Sequence, residues 1–491
     1  MRLWIGLHLP RLPLEVFCPR WSDDVGTAVL EHEVVLAVSS LAARAGVRPG
    51  MRRGGALMLA PEIALHERAP VQEAEALHAV AMALLQYTPQ VTEGEEATLL
   101  LDVGASLRLF GGIRRLCALV RDSLRALGFT AVLGVAPTAR GAWLLARSGA
   151  GRSLTIEKME RRLQGLPVSL LLPARPYLAW LEGIGCLTVG NLMQLPRPGL
   201  QRRCGRALLD VLDAARGHTA EMFRWIEAPP SFRAKLELFG RIEDADLLLA
   251  GARRLLQQMT GWLCARQFAV ERISLLLEHE RGRVARPPTA IDIMLAEAVW
   301  RDDHLVRLLK EKLGKLVLDA PVIGLCLEAL QVKPMAPHSD SLFPEPGGSK
   351  EDRLRLFELL VARLGADNVL QAVPRADHRP EYANGWAPVQ EKVRPADVAA
   401  ALPPGSLPRP AWLLAKPIAL LVRDHRPFYC SPLRMVSSAE RIEAGWWGET
   451  QTRDYFIAQG EDNAHYWVYR ERLTGTEEDS EPRWYLHGLF G

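Results

Sequence analysis

Hydrophobic and polar positions fall into two blocks of similar layout, joined and followed by segments of different character. In the first block, Leu3–Leu7 reads as a short buried strand, and Ala74, Leu77, Ala81, Leu84 and Leu85 recur at helical spacing. Thr98–Val103 (TLLLDV) predicts a strand behind the turn-like Glu93-Gly94-Glu95. Ile113, Leu116, Val120, Leu124 and Leu127 mark a second amphipathic helix, stopped by Gly128, and Thr130–Val135 a further strand. With Gln90–Thr92 paired to Thr98–Val103, the order is β-α-β-β-α-β, the ferredoxin-like split βαβ arrangement. An insertion rich in small and basic residues, roughly 20 to 68, separates the first strand from the first helix.

Residues 160 to 228 read as a small helical region, with a Gly183-Ile184-Gly185 turn between a helix and another beginning near Thr188. The second block repeats the first topology: strand Lys235–Phe239, helix Asp244–Arg266, strands Val270–Leu277 and Ala290–Leu295, helix Asp303–Lys315 and strand Val322–Val332. Residues 334 to 350 (PMAPHSDSLFPEPGGSK) have linker composition, and a helix is expected over Lys350–Leu364. Prolines crowd 374 to 415, and the aromatic-rich end from about 416 predicts a small β-rich module.

Composition narrows the classes. The chain has 491 residues, 48% of them hydrophobic and 24% charged, so several packed domains are expected and extensive disorder is not. A net charge of +3 makes any nucleic-acid surface a local one. The seven cysteines, Cys18, Cys117, Cys186, Cys204, Cys264, Cys326 and Cys430, form no CxxC pair, which fits a reducing compartment and argues against structural zinc. Pro10 and Arg11 break the apolar start, and no run approaches the ~18 apolar residues of a membrane span. A cytoplasmic, nucleoid-associated protein without a membrane partner is expected.

Three ordered matches carry a resemblance. Ser39-Ser-Leu-Ala-Ala-Arg-Ala-Gly-Val-Arg-Pro-Gly-Met51 is similar to the fingers segment of Y-family DNA polymerases. Gly134-Val-Ala-Pro-Thr-Ala-Arg-Gly-Ala-Trp-Leu-Leu-Ala146, and Asp102-Val103 with Ser106-Leu-Arg-Leu-Phe-Gly111, are similar to their palm. The resemblance covers about residues 1 to 335 and implies an α+β multidomain right hand. Residues 1–19 and 69–159 would form a ferredoxin-like palm, 20–68 small fingers, 160–230 a helix-hairpin-helix thumb and 231–334 an α+β little finger. A linker over 335–350 would carry a clamp-binding peptide, and 351–491 would bind partners.

Nucleotidyl transfer in that family needs two metal ions about 3.5–4 Å apart, held by carboxylates. The resemblance places the carboxylate positions at Gly6, Ala97 and Thr98, none of them acidic, with His8 two residues beyond the first. Glu96 and Asp102 as strand residues would stand about 20 Å apart. Glu95 or Glu96 would serve only after a slip of two residues. The sugar-gating aromatic falls at Leu9-Pro10-Arg11 and the triphosphate-binding Tyr at Leu41, whereas the Arg is kept as Arg44. Arg44 has two readings, a bidentate phosphate ligand or a leftover surface charge.

The Gly183-Ile184-Gly185 turn suits close approach of backbone N–H groups to a phosphate. Arg197, Arg202, Arg203 and Arg206 follow it, against Asp210 and Asp213. DNA contact without sequence reading is one account and a solvated basic face the other.

The whole chain is similar to the polymerase-deficient branch of that family found in bacterial mutasome operons, and its C-terminal half carries the match. The matching residues are Asp377-His-Arg-Pro-Glu381, Arg409-Pro-Ala-Trp-Leu-Leu414, Glu440-Arg-Ile-Glu-Ala-Gly-Trp-Trp447, Arg453-Asp-Tyr455, Trp467-Val-Tyr-Arg-Glu-Arg472 and Trp484-Tyr-Leu-His-Gly-Leu-Phe490. The resemblance implies primer-template or single-stranded DNA, the sliding clamp, the RecA-like protein ImuA and an error-prone C-family DNA polymerase as partners, and no cofactor. Trp446, Trp447, Trp467 and Trp484 are partner-binding candidates. The clamp-binding candidate is Ser339-Asp340-Ser341-Leu342-Phe343, which lacks the usual leading Gln. Lys235–Phe239 fits loosely but reads as a core strand, and Arg353–Phe357 as part of a helix. The function expected is a noncatalytic DNA-binding scaffold of translesion synthesis. The alternatives are an active, divergent polymerase using Glu95 or Glu96 and an inhibitor that occupies DNA.

Overall fold

The computed structural model describes residues 2–22, 25–280, 286–318, 320–335, 350–375, 377–391, 408–444, 451–472 and 483–490. It divides into two compact units, Met1–Leu359 and Leu360–Gly491. Ser339–Phe343, Trp446 and Trp447 lie outside the described residues.

The first unit begins with β1 (Trp4–His8) and α1 (Leu12–Glu15), followed by the insertion elements β2 (Thr27–Glu31), β3 (Val34–Val38), α2 (Ser40–Arg44), α3 (Arg53–Leu59) and β4 (Ala64–Glu67). The chain continues through α4 (Pro70–Leu84), β5 (Val91–Gly94), β6 (Thr98–Asp102), α5 (Ile113–Ala126), β7 (Val132–Ala136) and α6 (Ala139–Ser148). The sheet order is β5-β6-β1-β7 with every neighbouring pair antiparallel, the split βαβ arrangement expected. The insertion forms its own β3-β2-β4 sheet. Its small residues have a use there, since Ala28, Ala42, Ala56 and Ala60 fill its compact core with Leu30, Val35 and Val47.

Two boundaries differ from expectation. The β5–β6 turn lies at Glu95–Ala97 and not at Glu93–Glu95. Gly94 stays in the strand, where a Cβ would stand 3.5 Å from the Trp143 ring. The last strand starts at Val132 because Thr130 is held by the buried Glu15 carboxylate, which accepts from its N–H at 2.7 Å and its hydroxyl at 2.5 Å.

The helical region comprises α7 (Ile156–Gln164), α8 (Leu178–Gly183), α9 (Val189–Gln194), α10 (Arg197–Cys204) and α11 (Arg206–Arg216). It shares one core with the face of the sheet that α6 covers, joining Trp4, Leu100 and Trp143 to Met159, Leu181, Leu192, Leu208 and Leu212.

Then follow β8 (Arg233–Ile242), α12 (Ala245–Arg266), β9 (Phe268–His279), β10 (Thr289–Val299), α13 (Asp302–Leu313) and β11 (Val322–Pro334). The element succession repeats that of the first block, but the sheet order does not. It is β10-β9-β11-β8, with the last strand in the interior, whereas β7 sits at an edge. Consecutive residues Leu325, Cys326 and Leu327 of β11 are all buried, so this strand needs cover on both faces and takes a central place. Helix α12 crosses α4 at Gly261, where a Cβ would lie within 3 Å of the Met82 carbonyl and of Ala83. Helix α14 (Lys350–Leu364) docks through buried Glu358, which accepts from the Ala296 N–H at 2.6 Å and pairs with His304 Nε2 at 2.5 Å.

The second unit is β-rich. Strands β12 (Leu370–Pro374) and β13 (Asn384–Pro388) pair with each other. An eight-stranded sheet is built from β14 (Trp412–Arg423), β15 (Arg426–Tyr429), β16 (Ser431–Pro432), β17 (Arg434–Met435), β18 (Glu440–Ala444), β19 (Gln451–Gln459), β20 (His465–Glu471) and β21 (Trp484–Leu489). Its motifs converge. Trp467 stacks on Tyr455 at 4.1 Å, Tyr455 bonds His487 Nδ1 at 2.8 Å, and Arg453 donates to Glu381 at 2.5 Å. Asp454 is buried among Arg441, Arg470 and Arg472. Trp467 and Trp484 are only 2% and 9% exposed, which corrects the expectation that they meet a partner: both pack in the cores of this sheet. The exposed tryptophans among the described residues of this unit are Trp386 and Trp412.

Candidate functional site

The three positions expected for metal-binding carboxylates lie together in the first sheet. Gly6 pairs with Leu100, and His8 with Thr98, so Gly6, His8 and Thr98 share a face. Ala97 is in the adjoining turn and its carbonyl accepts from Leu9 N–H at 3.0 Å. That face is closed over Gly6 by α6, because a Cβ there would stand 2.4 Å from the Ala142 carbonyl oxygen. Thr98 is fully buried, 3.5 Å from His8 Nδ1. Burial, with Arg147 beside it, holds His8 below its ordinary range, so the imidazole stays neutral near pH 7.

Glu95 and Glu96 are occupied by arginines. Arg140 Nη1 donates to Glu95 Oε2 at 2.9 Å, and Trp143 Nε1 to the Glu95 carbonyl at 3.1 Å. Arg175 grips Glu96 with both terminal nitrogens, at 2.5 and 3.0 Å. Arg147 pairs with the same carboxylate. Arg140 and Arg147 flank the Trp143 ring, 5.2 and 5.0 Å from its centroid. Glu96 and Ala97 hold positive φ values of 55° and 50°, so Glu96 belongs to a tight turn and not to the strand that carries Asp102. Asp102 accepts from Gly104 N–H at 3.1 Å at the strand end.

A pair of Mg²⁺ ions, as the family resemblance implies, does not fit this donor set. Oxygen ligands are missing at Gly6 and Ala97, and both nearby carboxylates are already charge-paired. Among the described residues no three His, Cys, Asp or Glu side chains are grouped as a metal site requires.

The other candidates are distributed. Gly183 ends α8 and Gly185, at φ 73°, makes the turn that a side chain would strain. Thr188 then caps α9 with a reciprocal Thr188–Asn191 box. Arg203 on α10 lies over the Trp180 ring of α8 at 5.3 Å, which brings it to the helix ending in that turn. Arg202 is exposed, and Arg206 is 3.5 Å from Asp210. Arg44 is exposed on the last turn of α2, in the insertion. Arg140, Arg147 and Arg175 are absent from the sequence-based candidates. The seven-residue spacing of Arg140 and Arg147 about Trp143, two turns on one helix face, was the available signal. Arg175 is joined to them only by folding.

Residues 19–147 match the impB/mucB/samB family. Protein ImuB from two strains of Caulobacter vibrioides is 28% identical over 473 residues, covering 91% of this chain and 100% of the relative. Solved structures include a ternary complex of Dbh with partially disordered substrates, TM-score 0.38, 16% identical, covering 66% of this chain and 98% of that one. An insertion ternary complex of Dbh DNA polymerase gives TM-score 0.36 at the same identity and coverage. No helix among the described residues is long and apolar enough to cross a membrane. Over 91% of its length the chain is similar to ImuB, and its residues 19–147 are similar to the impB/mucB/samB family.

Proposed function

We propose that the chain is a noncatalytic DNA-binding scaffold of error-prone translesion synthesis, induced by DNA damage as part of the SOS response. One observation carries this: where the family would clamp two metal ions, Gly6, Ala97 and Thr98 offer no carboxylate, and Glu95 and Glu96 are neutralised by Arg140, Arg147 and Arg175. In this reading residues 1–19 and 69–159 are the palm, 20–68 the fingers, 160–230 the thumb and 231–334 the little finger. The turn at Gly183, Ile184 and Gly185, with Arg202, Arg203 and Arg206, contacts the backbone of primer-template or single-stranded DNA. Ser339–Phe343 engages the sliding clamp. The C-terminal region binds an ImuA-type RecA-like protein and the error-prone C-family polymerase that performs the synthesis.

The test is primer extension by the purified chain with Mg²⁺ or Mn²⁺, beside DNA binding at two salt concentrations. The scaffold predicts no extension and binding that weakens as salt rises, with a log–log slope of about −0.9 per phosphate contacted. Metal-dependent extension that disappears in Glu95→Ala/Glu96→Ala would establish an active polymerase instead.

A further inference from the structure

We propose that Arg140, Arg147 and Arg175 form a metal-independent phosphate-binding site that Glu95 and Glu96 hold closed by acting as internal counter-ions. Three guanidinium groups from two separate elements, α6 and the segment before α8, meet at one two-carboxylate turn. Such a gathering repels itself. Burial first, and Arg175 second, pull Arg147 below the usual guanidinium range. Arg147 Nε is buried and has no hydrogen-bond partner among the described residues. Trp143 fixes two of the guanidiniums against its ring, so they are pre-organised.

Glu95 and Glu96 are more exposed than Arg140 and Arg147, and Arg175 is more exposed than Glu96. The Glu95 side chain is 56% exposed and that of Arg175 41%, whereas Arg147 is 14% exposed. Glu95 can therefore swing outward with little repacking, whereas Glu96, 31% exposed and held by Arg147 and Arg175, gives way as an incoming anion replaces it on those two arginines. A phosphate offers the bidentate oxygen geometry that Glu96 now supplies to Arg175. The remaining carboxylate nearby, Glu221, accepts from the Arg140 backbone N–H at 3.1 Å and is tied to the start of α6. The phosphate comes from a DNA backbone or from a free nucleotide.

This inference rests on the DNA-binding reading for its first source only. The experiment uses the full-length chain in EDTA and the variant Glu95→Gln/Glu96→Gln, which removes both counter-ions at constant shape. Binding of labelled primer-template is measured across a salt series, and binding of a deoxynucleoside triphosphate by calorimetry. We expect the variant to bind DNA several-fold more tightly, with a salt slope steeper by about 1 to 2 as freed arginines take phosphates. Adding Arg147→Ala should abolish the gain. A gain confined to the triphosphate arm would assign the nucleotide as the source. No gain in either arm, or a gain that survives Arg147→Ala, overturns the proposal. If the double variant unfolds, Glu95→Gln alone, at the more exposed carboxylate, must give the smaller gain or the proposal falls. A wild-type chain that binds no DNA defeats the scaffold reading while leaving the triphosphate arm to decide the cluster.

Discussion

Helix α6 crosses β1 and β7 through two glycines, Gly6 and Gly134, where a Cβ would stand 2.4 and 2.2 Å from helix backbone atoms. Backbone against backbone leaves no flexible side chain to move aside, so the packing leaves no room for a carboxylate at Gly6. Gly6→Asp is expected to destabilise the first unit by about 2 kcal/mol or more, read from the denaturant midpoint. Gly6→Asp/Ala97→Asp/Thr98→Glu is expected to remain without primer extension. A well-folded triple variant that extends primers would show that α6 can withdraw. At the neighbouring turn, Glu96 and Ala97 occupy the left-handed region, which costs roughly 1–2 kcal/mol per residue. The arginine pairs on Glu96 help to hold that conformation.

The two α+β blocks are joined by helices rather than by a tether alone. Gly261 lets α12 reach the α4 backbone, and Trp262, one residue on, donates to the Pro229 carbonyl at 2.7 Å. Buried Arg254, about two turns before Gly261 on the same helix, lies over Phe129 at 4.8 Å, and burial pulls it down to about 10. Gly261→Leu should therefore separate α12 from α4. We expect a loss of about 1–3 kcal/mol and faster proteolysis in the connection between α11 and β8. An unchanged digestion pattern would mean the contact is dispensable. The interior place of β11 was not readable from element order, because identical successions permit several sheet orders. Its continuous apolar run was the clue.

Across the chain, the second unit carries the clearest pH signature. His487 is fully buried beside Arg453, Tyr455, Tyr469 and Glu381, and burial pushes it down to about 4. An unfolded histidine titrates near 6.5, so the unfolded chain binds the extra proton between these values. Stability from this group is full above about pH 6.5 and falls as pH drops toward 4. Arg453 holds Glu381 low despite its burial, so protonating Glu381 adds to the loss at the acid end. The thermal transition of this unit should move down between pH 6.5 and 4.5, and His487→Gln should flatten that dependence. A variant with an unchanged pH profile would assign the acid lability elsewhere.

Periodicity and turn chemistry made the succession of strands and helices legible, because each depends on residues a few positions apart. The non-acidic identities at Gly6, Ala97 and Thr98 were equally plain, as were the glycine turn at Gly183–Gly185 and the β-rich end. Folding alone brought Arg175 to Glu96, 79 residues away, and so made the acidic turn part of a charge-paired cluster. It also buried Trp467 and Trp484 and placed β11 at the centre of its sheet. Local propensity sets what a segment becomes. Which surfaces it covers, and which charges meet, follows from long-range packing that no short stretch of sequence encodes.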